Sequence, residues 1–310
     1  MSGAAGVIGR ELVMKLVSRG HVVLAGDLKP RPESFDSSVE YCQGDLNEVN
    51  TETLKSFEPE IFVHLAATFE RSEESLNFWT ENYENNVRLS HHLLTICQNL
   101  PSMRKVLFAS SYLVYDSAFY LGTDEERGPK RLSELDPIHP RNLIGSAKFF
   151  HELELEYLQR FGEVKFAISS VRIFRGYGCG SRDVISRWVQ SLLLEEEISV
   201  YSQDGMFDYI YSKDSAEGLL RILEEANPPN VVNLGTGSAK SIREVCAILR
   251  GHFPNAKMTV QISDVAIEKS EADTKLLRES VNWVPEYRIE DAIAEIIMYE
   301  QSKKLEREKG

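Results

Sequence analysis

Three glycines recur at every third position, Gly3, Gly6 and Gly9, and an apolar helical pattern of Val7, Ile8, Leu12, Val13, Leu16 and Val17 begins among them. That arrangement suits an anion. Only glycine lets the backbone come close to a pyrophosphate, and the first free N–H groups of the helix then point at the negative charge. Gly20 ends the helix, and His21–Gly26 reads as a strand with Asp27 at its tip. An acid there can bond a ribose 2′-hydroxyl and repels a 2′-phosphate, which favours NAD over NADP, although Lys29 and Arg31 lie close by. Turn, helix, strand and acid together make a dinucleotide fingerprint.

Other residues add chemistry further along. Asp45 follows a short strand in Val39–Leu46 and has two readings: acceptor for an adenine amino group, or N-cap of a helix from about Val49 to Phe57. Ile61–Ala67 is an apolar strand whose small last residues let a cofactor lie against the backbone. Lys105–Ser111 is another strand, ending in the hydroxyls of Ser110 and Ser111. His64, His91 and His92 show no metal-ligand spacing, and no metal site is expected.

These residues need a scaffold. The chain has 310 residues, 42% hydrophobic and 27% charged, enough for a sizeable core. A net charge of −13 argues against nucleic acid or an anionic membrane as a main partner. Cys42, Cys97, Cys179 and Cys246 lie far apart and fit reduced thiols in a cytoplasmic protein. Asn85 and Asn86 precede a helical pattern in Val87, Leu89, Leu93, Leu94 and Cys97; Val164–Val171 reads as a strand and Arg175–Gln203 as a helical excursion. Strands follow at Phe207–Tyr211, Val231–Leu234 and Met258–Ile262, with helices near Ser241–Arg250 and from Ile289. Strands alternating with helices imply a parallel, doubly wound α/β sheet. Trp79, Trp188 and Trp283 are expected to pack; Asp124-Glu125-Glu126, Glu195-Glu196-Glu197 and Lys303–Lys309 are expected to be solvated.

The residues resemble a family, the extended short-chain dehydrogenase/reductases that include NAD-dependent nucleotide-sugar epimerases and dehydratases. Ser2-Gly3-Ala4-Ala5-Gly6-Val7-Ile8-Gly9 resembles its T-G-x-x-G-x-x-G turn, and Gly44-Asp45-Leu46 and His64-Leu65-Ala66-Ala67 its adenine and phosphate-side motifs. Ser110-Ser111-Tyr112-Leu113-Val114-Tyr115 is similar to S-S-x-x-V-Y, which puts the catalytic hydroxyl on Ser111. Asn233–Gly237 with Ser241–Glu244, Ala272–Lys275 and Asn282–Pro285 resemble the family's C-terminal blocks. The resemblance implies a Rossmann sheet plus a smaller α/β substrate domain, divided as 1–172 with about 207–235, and about 173–206 with 236–310. It implies NAD held by Gly3, Gly6, Val7, Ile8, Gly9, Asp27, Asp45, Leu46, Leu65, Ala66, Ala67 and Lys148, and a sugar or nucleotide-sugar substrate met by Ser111, Tyr112, Arg175 and Tyr177. A homodimer is expected as well. The turn should follow a central first strand that this sequence does not contain, so the sheet is expected to lack it, and the chain alone to be poorly soluble or to bind NAD weakly.

Departures from the pattern bear on the reaction. Y-x-x-x-K falls on Ile144-Gly145-Ser146-Ala147-Lys148: the lysine is kept and the tyrosine is isoleucine. In the family that phenolate takes the proton of a sugar hydroxyl while hydride moves to NAD. Ser111, Tyr112, Tyr177 and His139 are candidate replacements. The dehydratase T-D-E triple would fall on Ser111, Tyr112 and Leu113, without its acids. R-x-x-N-x-Y-G reads Arg172-Ile173-Phe174-Arg175-Gly176-Tyr177-Gly178, and the usual diphosphate arginine is Phe207, with Arg182 or Arg187 as other sources of charge. Two functions follow: an enzyme moving hydride between NAD and a sugar hydroxyl (epimerase, dehydratase or oxidoreductase), or a dinucleotide-binding protein with lost or altered catalysis.

Overall fold

The computed structural model describes residues 1–68, 74–122, 128–162, 164–261 and 266–309. Asp124-Glu125-Glu126 and Ile262 lie outside the described residues. The centre is a parallel sheet in the spatial order Glu40–Gln43, Leu24–Asp27, Ile61–His64, Lys105–Ser111, Ala167–Ile173, Val231–Leu234. Lys105–Ser111 and Ala167–Ile173 are buried along nearly their whole length, as middle strands covered on both faces must be. The helix Val7–Ser18 turns Leu12, Val13 and Leu16 inward and lies beside Ser212–Glu224, which contributes Leu219, Leu220 and Leu223 to the same core. Lys15–Glu217 (2.8 Å) and Arg19–Glu224 (3.2 Å) join the two helices at the surface.

Between Leu24–Asp27 and Ile61–His64, the place of the expected first strand, the described residues are bridged in parallel by Ser2. Its N–H donates to the Val63 carbonyl (2.9 Å), and its carbonyl accepts from Leu65 N–H (3.2 Å). A slot of ≈ 880 Å³ runs alongside, lined by Val23, Leu24, Ile61, Phe62, Leu93 and Cys97 among others. This is the spatial order of a Rossmann sheet with a single bridging residue at the centre.

A second apolar cluster gathers Ile185, Val189, Val245, Leu249, Ile293 and Ile296. The strand Tyr209–Tyr211 links the two cores by alternation: Ile210 faces the first, while Tyr209 and Tyr211 face the second. Short strands complete this part. Ile267–Ala272 pairs with Met206–Phe207, Lys130–Leu132 and Leu121–Gly122; Arg175–Tyr177 pairs with Tyr209–Tyr211; Ile198–Tyr201 pairs with Met258–Gln261.

Several expectations are corrected. Asn85 and Asn86 do precede the helix Leu89–Gln98, but the helical run does not start with them. They sit inside a continuous helical run, Leu76–Asn82 and Leu89–Gln98 joined by a π-helical turn Tyr83–Arg88, because Ser75 caps it upstream. The helix after Asp45 is Thr51–Phe57, and Asn50 caps it; Asp45 instead caps the 3₁₀ turn Leu46–Glu48. Arg175–Gln203 is not one helical excursion: only Val184–Leu193 is helix, started by Asp183, whose carboxylate accepts from Ile185 and Ser186 N–H. Phe207–Tyr211 is not a single strand, since it breaks at Asp208, whose buried carboxylate accepts N–H groups from Thr236, Gly237 and Ala272. Trp188 and Trp283 are buried, but Trp79 is 63% exposed on its helix. The strand Ile267–Ala272 and the helix Lys275–Val281 went unmarked in the sequence. None of the four cysteines is in a disulfide. Among the described residues no helix is long and apolar enough to cross a membrane.

Candidate functional site

The glycine turn is built for close approach. Gly3 has φ +70°, and a Cβ there would come within 2.5 Å of the Ala66 backbone nitrogen; a Cβ on Gly9 would strike the Gly3 carbonyl. The helix Val7–Ser18 starts at Gly6 with no side-chain cap and no acid in its first turn, which leaves its N-terminal dipole open to an anion. Asp27 lies across the turn: its carboxylate accepts the Ala5 N–H (2.9 Å) and the Lys29 N–H (3.0 Å). Arg31 turns away into its own loop, donating to the carbonyls of Val39 (2.5 Å) and Asp36 (2.6 Å). Leu46 packs on Gly26, where an added Cβ would meet its side chain at 2.9 Å.

Small residues finish the cradle. Leu65 and Ala66 are half-buried and Ala67 is exposed, just beyond the strand Ile61–His64. Asn86 secures the segment after them, since its Oδ1 accepts Thr68 N–H (2.9 Å) and its Nδ2 donates to Thr68 Oγ1 (2.8 Å). Sequence reasoning missed Asn86. Its signal was Asn82, Asn86 and Ser90 at spacings of four, a polar stripe on an otherwise apolar helix. The open helix start, the acid at the strand tip and the cradle that a Cβ would fill fit a dinucleotide with an unphosphorylated ribose.

The reaction end sits at the carboxyl tips of the strands. Ser111 ends Lys105–Ser111, and its Oγ accepts Leu113 N–H (3.2 Å), capping the 3₁₀ turn Tyr112–Val114. The helix Leu143–Phe161 presses on this turn. Asn142 caps it through Gly145 N–H (2.8 Å), and a Cβ on Gly145 would meet the Leu113 carbonyl at 2.5 Å. One turn further, Lys148 is buried, with Nζ donating to the Ala109 carbonyl (2.6 Å) and lying 4.7 Å from the Phe108 ring centroid. Burial pulls its pKa down to about 8. Lys148 and Ser111 are thus held on one strand. Ile144 is 5% exposed and belongs to an apolar cluster with Tyr112, Leu113, Tyr120 and Phe174.

Arg175 joins this group: its guanidinium lies 4.6 Å over the Phe207 ring and 6.0 Å from the Tyr112 ring. Glu268 meets Arg141 (2.5 Å) and Arg175 (3.4 Å); burial raises its pKa, but the Arg175 and Arg141 charges outweigh that and hold it below the usual range. Tyr177 is not brought into the group. It is 2% exposed within the second core, against Tyr209 and Tyr211, and burial raises its pKa. His139 is exposed, 3.8 Å from Asp116. Behind the strands, Arg172 forms a buried two-pronged pair with Glu152 (2.7 and 3.0 Å), and Ser110 donates to the same carboxylate.

Comparison with known proteins agrees with this geometry. A sequence model of the NAD dependent epimerase/dehydratase family matches residues 1–235. A UDP-glucose 4-epimerase of Mycolicibacterium smegmatis is 26% identical over 330 residues, covering 98% of each chain. A dTDP-glucose 4,6-dehydratase of Xanthomonas campestris is 22% identical over 326 residues, covering 96% of this chain and 91% of the other. Among solved structures, MoeE5 in complex with UDP-glucose and NAD superposes with a TM-score of 0.82 at 26% identity, covering 98% of each chain. The match over three-quarters of the chain, on a Rossmann sheet with its glycine turn, makes this protein a member of the NAD-dependent epimerase/dehydratase family.

Proposed function

We propose that the protein is an enzyme acting on a sugar hydroxyl of a nucleotide sugar, as an epimerase, dehydratase or oxidoreductase. The observation that carries this reading is the convergence of Lys148 and Ser111 on the strand Lys105–Ser111, at the carboxyl edge of the sheet where ligands of such folds bind. Bound NAD would supply hydride acceptance and return. In this reading Lys148 holds the nicotinamide ribose, Ser111 orients the sugar hydroxyl, and Arg175 faces the charged or hydroxylated part of the substrate beside Phe207. Ile144 takes no proton, so in this reading a Tyr112 phenolate, next to Ser111 at the strand end, accepts the proton of the sugar hydroxyl and becomes the neutral phenol. Relatives named for UDP-glucose and dTDP-glucose chemistry support the substrate class.

The remaining assignments belong to the same reading. The cofactor lobe comprises 1–172 with about 207–235, and the substrate lobe about 173–206 with 236–310. The protein is cytoplasmic. It pairs with a second copy through the helices bearing Trp79, Tyr83, Phe150, Tyr157 and Phe161, whose large apolar side chains are exposed. The test is NAD-loaded protein incubated with UDP-glucose, UDP-glucuronate and dTDP-glucose, following nicotinamide absorbance and products. We expect turnover of at least one; none with any of them overturns the enzyme reading. One observation favours a binding protein with lost catalysis: Ile144 fills the tyrosine position as a packed core residue.

A further inference from the structure

We propose that His64 is a positioning residue for the cofactor turn, its two ring nitrogens tying Ser2 to Ser90; the proposal rests on the cofactor reading given above. His64 is 1% exposed at the end of the strand Ile61–His64, with its ring stacked near Phe62 (5.7 Å) and Phe108 (5.6 Å). Its Nδ1 lies 2.6 Å from Ser2 Oγ, and its Nε2 lies 2.8 Å from Ser90 Oγ. Ser2 Oγ is also reached by Ala66 N–H (3.4 Å), a bond in which the hydroxyl can only accept. The Ser2 hydroxyl thus joins the imidazole to the Ala66 backbone, and in a neutral ring one nitrogen donates while the other accepts.

The three anchored pieces are those that surround the cofactor. Ser2 immediately precedes Gly3, and Gly3 lies so close to Ala66 that any Cβ would collide. Ala66 forms the phosphate-side wall. Ser90 lies one turn beyond Asn86, which holds Thr68 from the same helix, just past the π-helical turn. A π turn rotates the residues after it relative to a regular helix, and such turns cluster at functional sites. Asn86 and Ser90 can therefore both reach Ile61–Thr68. Burial keeps the imidazole neutral, so it presents one donor and one acceptor to the two hydroxyls. His151 packs edge-on at 5.8 Å, and the Lys148 ammonium lies on the other side of Phe108; both oppose a positive charge on His64. The two hydroxyls that flank His64 are remote from it in the chain.

Three substitutions separate positioning from packing. His64→Asn can place an acceptor near Nδ1 but cannot reach Ser90; His64→Gln reaches Ser90 but not Ser2; His64→Phe keeps the ring volume and neither bond. NAD binding would be titrated calorimetrically on each full-length variant at a temperature where circular dichroism shows it folded. We expect Asn and Gln, each keeping one of the two bonds, to bind NAD about two- to fivefold more weakly than wild type, and Phe, keeping neither, about tenfold more weakly, in line with one or two neutral hydrogen bonds. Thermal stability should rank differently, with Phe above Asn because Asn leaves a cavity. NAD affinity that simply follows thermal stability overturns the proposal. Separately, ¹⁵N NMR of the imidazole at pH 7 should show one protonated and one unprotonated ring nitrogen; a ring protonated on both overturns the neutral bridge whatever the protein binds.

Discussion

The guanidinium of Arg175 lies 4.6 Å over the ring of Phe207, which returns a positive charge to the place where the family pattern has an arginine in Phe207's own position. The two residues sit on different strands, and only the pairing of Arg175–Tyr177 with Tyr209–Tyr211 brings them together. Arg175→Met should raise KM for the nucleotide sugar about tenfold, the loss of one charge-assisted contact, with NAD affinity unchanged. Steady-state kinetics beside NAD titration would check this. An unaltered KM places the diphosphate elsewhere.

Asp27 accepts the Ala5 N–H at the tip of the strand Leu24–Asp27, and the proposed reading gives it the ribose hydroxyl of NAD. Asp27→Ala should weaken NAD binding about 10- to 100-fold, the range for hydrogen bonds to a charged group, and should narrow the preference over NADP. Calorimetric titration with both dinucleotides reads the two effects.

Lys148 trades stability for function. Burial lowers its pKa from 10.5 to about 8. Below pH about 8 the ammonium is charged in both folded and unfolded chains, and the full cost of burying it is present. Between about 8 and 10.5 the unfolded chain binds a proton that the folded chain has released, so stability rises with pH. Lys148→Met should therefore stabilise the protein at pH 7 by about 2–3 kcal/mol, a gain that shrinks towards pH 10.5, while turnover is lost. Urea unfolding at pH 7 and 10 provides the comparison.

Ile144 is enclosed by Tyr112, Leu113 and Phe174. Placing a phenol there overfills the cluster, so Ile144→Tyr should cost about 1–3 kcal/mol and should not raise turnover. A large gain in turnover would instead mark a decayed site whose missing base had been restored.

Glu152 neutralises Arg172 deep behind the sheet, with both side chains at most 6% exposed. Glu152→Gln leaves the guanidinium buried with its charge uncompensated and should destabilise the fold by about 3–5 kcal/mol. Urea midpoints at unchanged m-value would show it.

The sequence alone determined the glycine turn and the elements around it. Glycine spacing, an apolar helix and an acid at a strand tip are local chemistry: each acts through its own backbone or within a few residues, so the turn at Gly3–Gly9, the helix Val7–Ser18 and the strand ending in Asp27 were legible from their order. Val231–Leu234 and Lys105–Ser111 were legible for a related reason, since a strand buried on both faces is apolar throughout. Tertiary structure decided what depends on distant partners. Asn85 and Asn86 resemble a helix start, yet they occupy a π turn because Ser75 upstream provides the cap. Asp45 could have capped the next helix, but Asn50 lies closer to its first turn. Tyr177 shares a motif and, two residues on, a strand face with Arg175, but it lies against Tyr209 and Tyr211 of the second core while Arg175 lies over Phe207. The charge above Phe207, the neighbours of Ile144 and the two hydroxyls on His64 come from segments far apart in the chain, and only packing of the folded sheet sets them side by side.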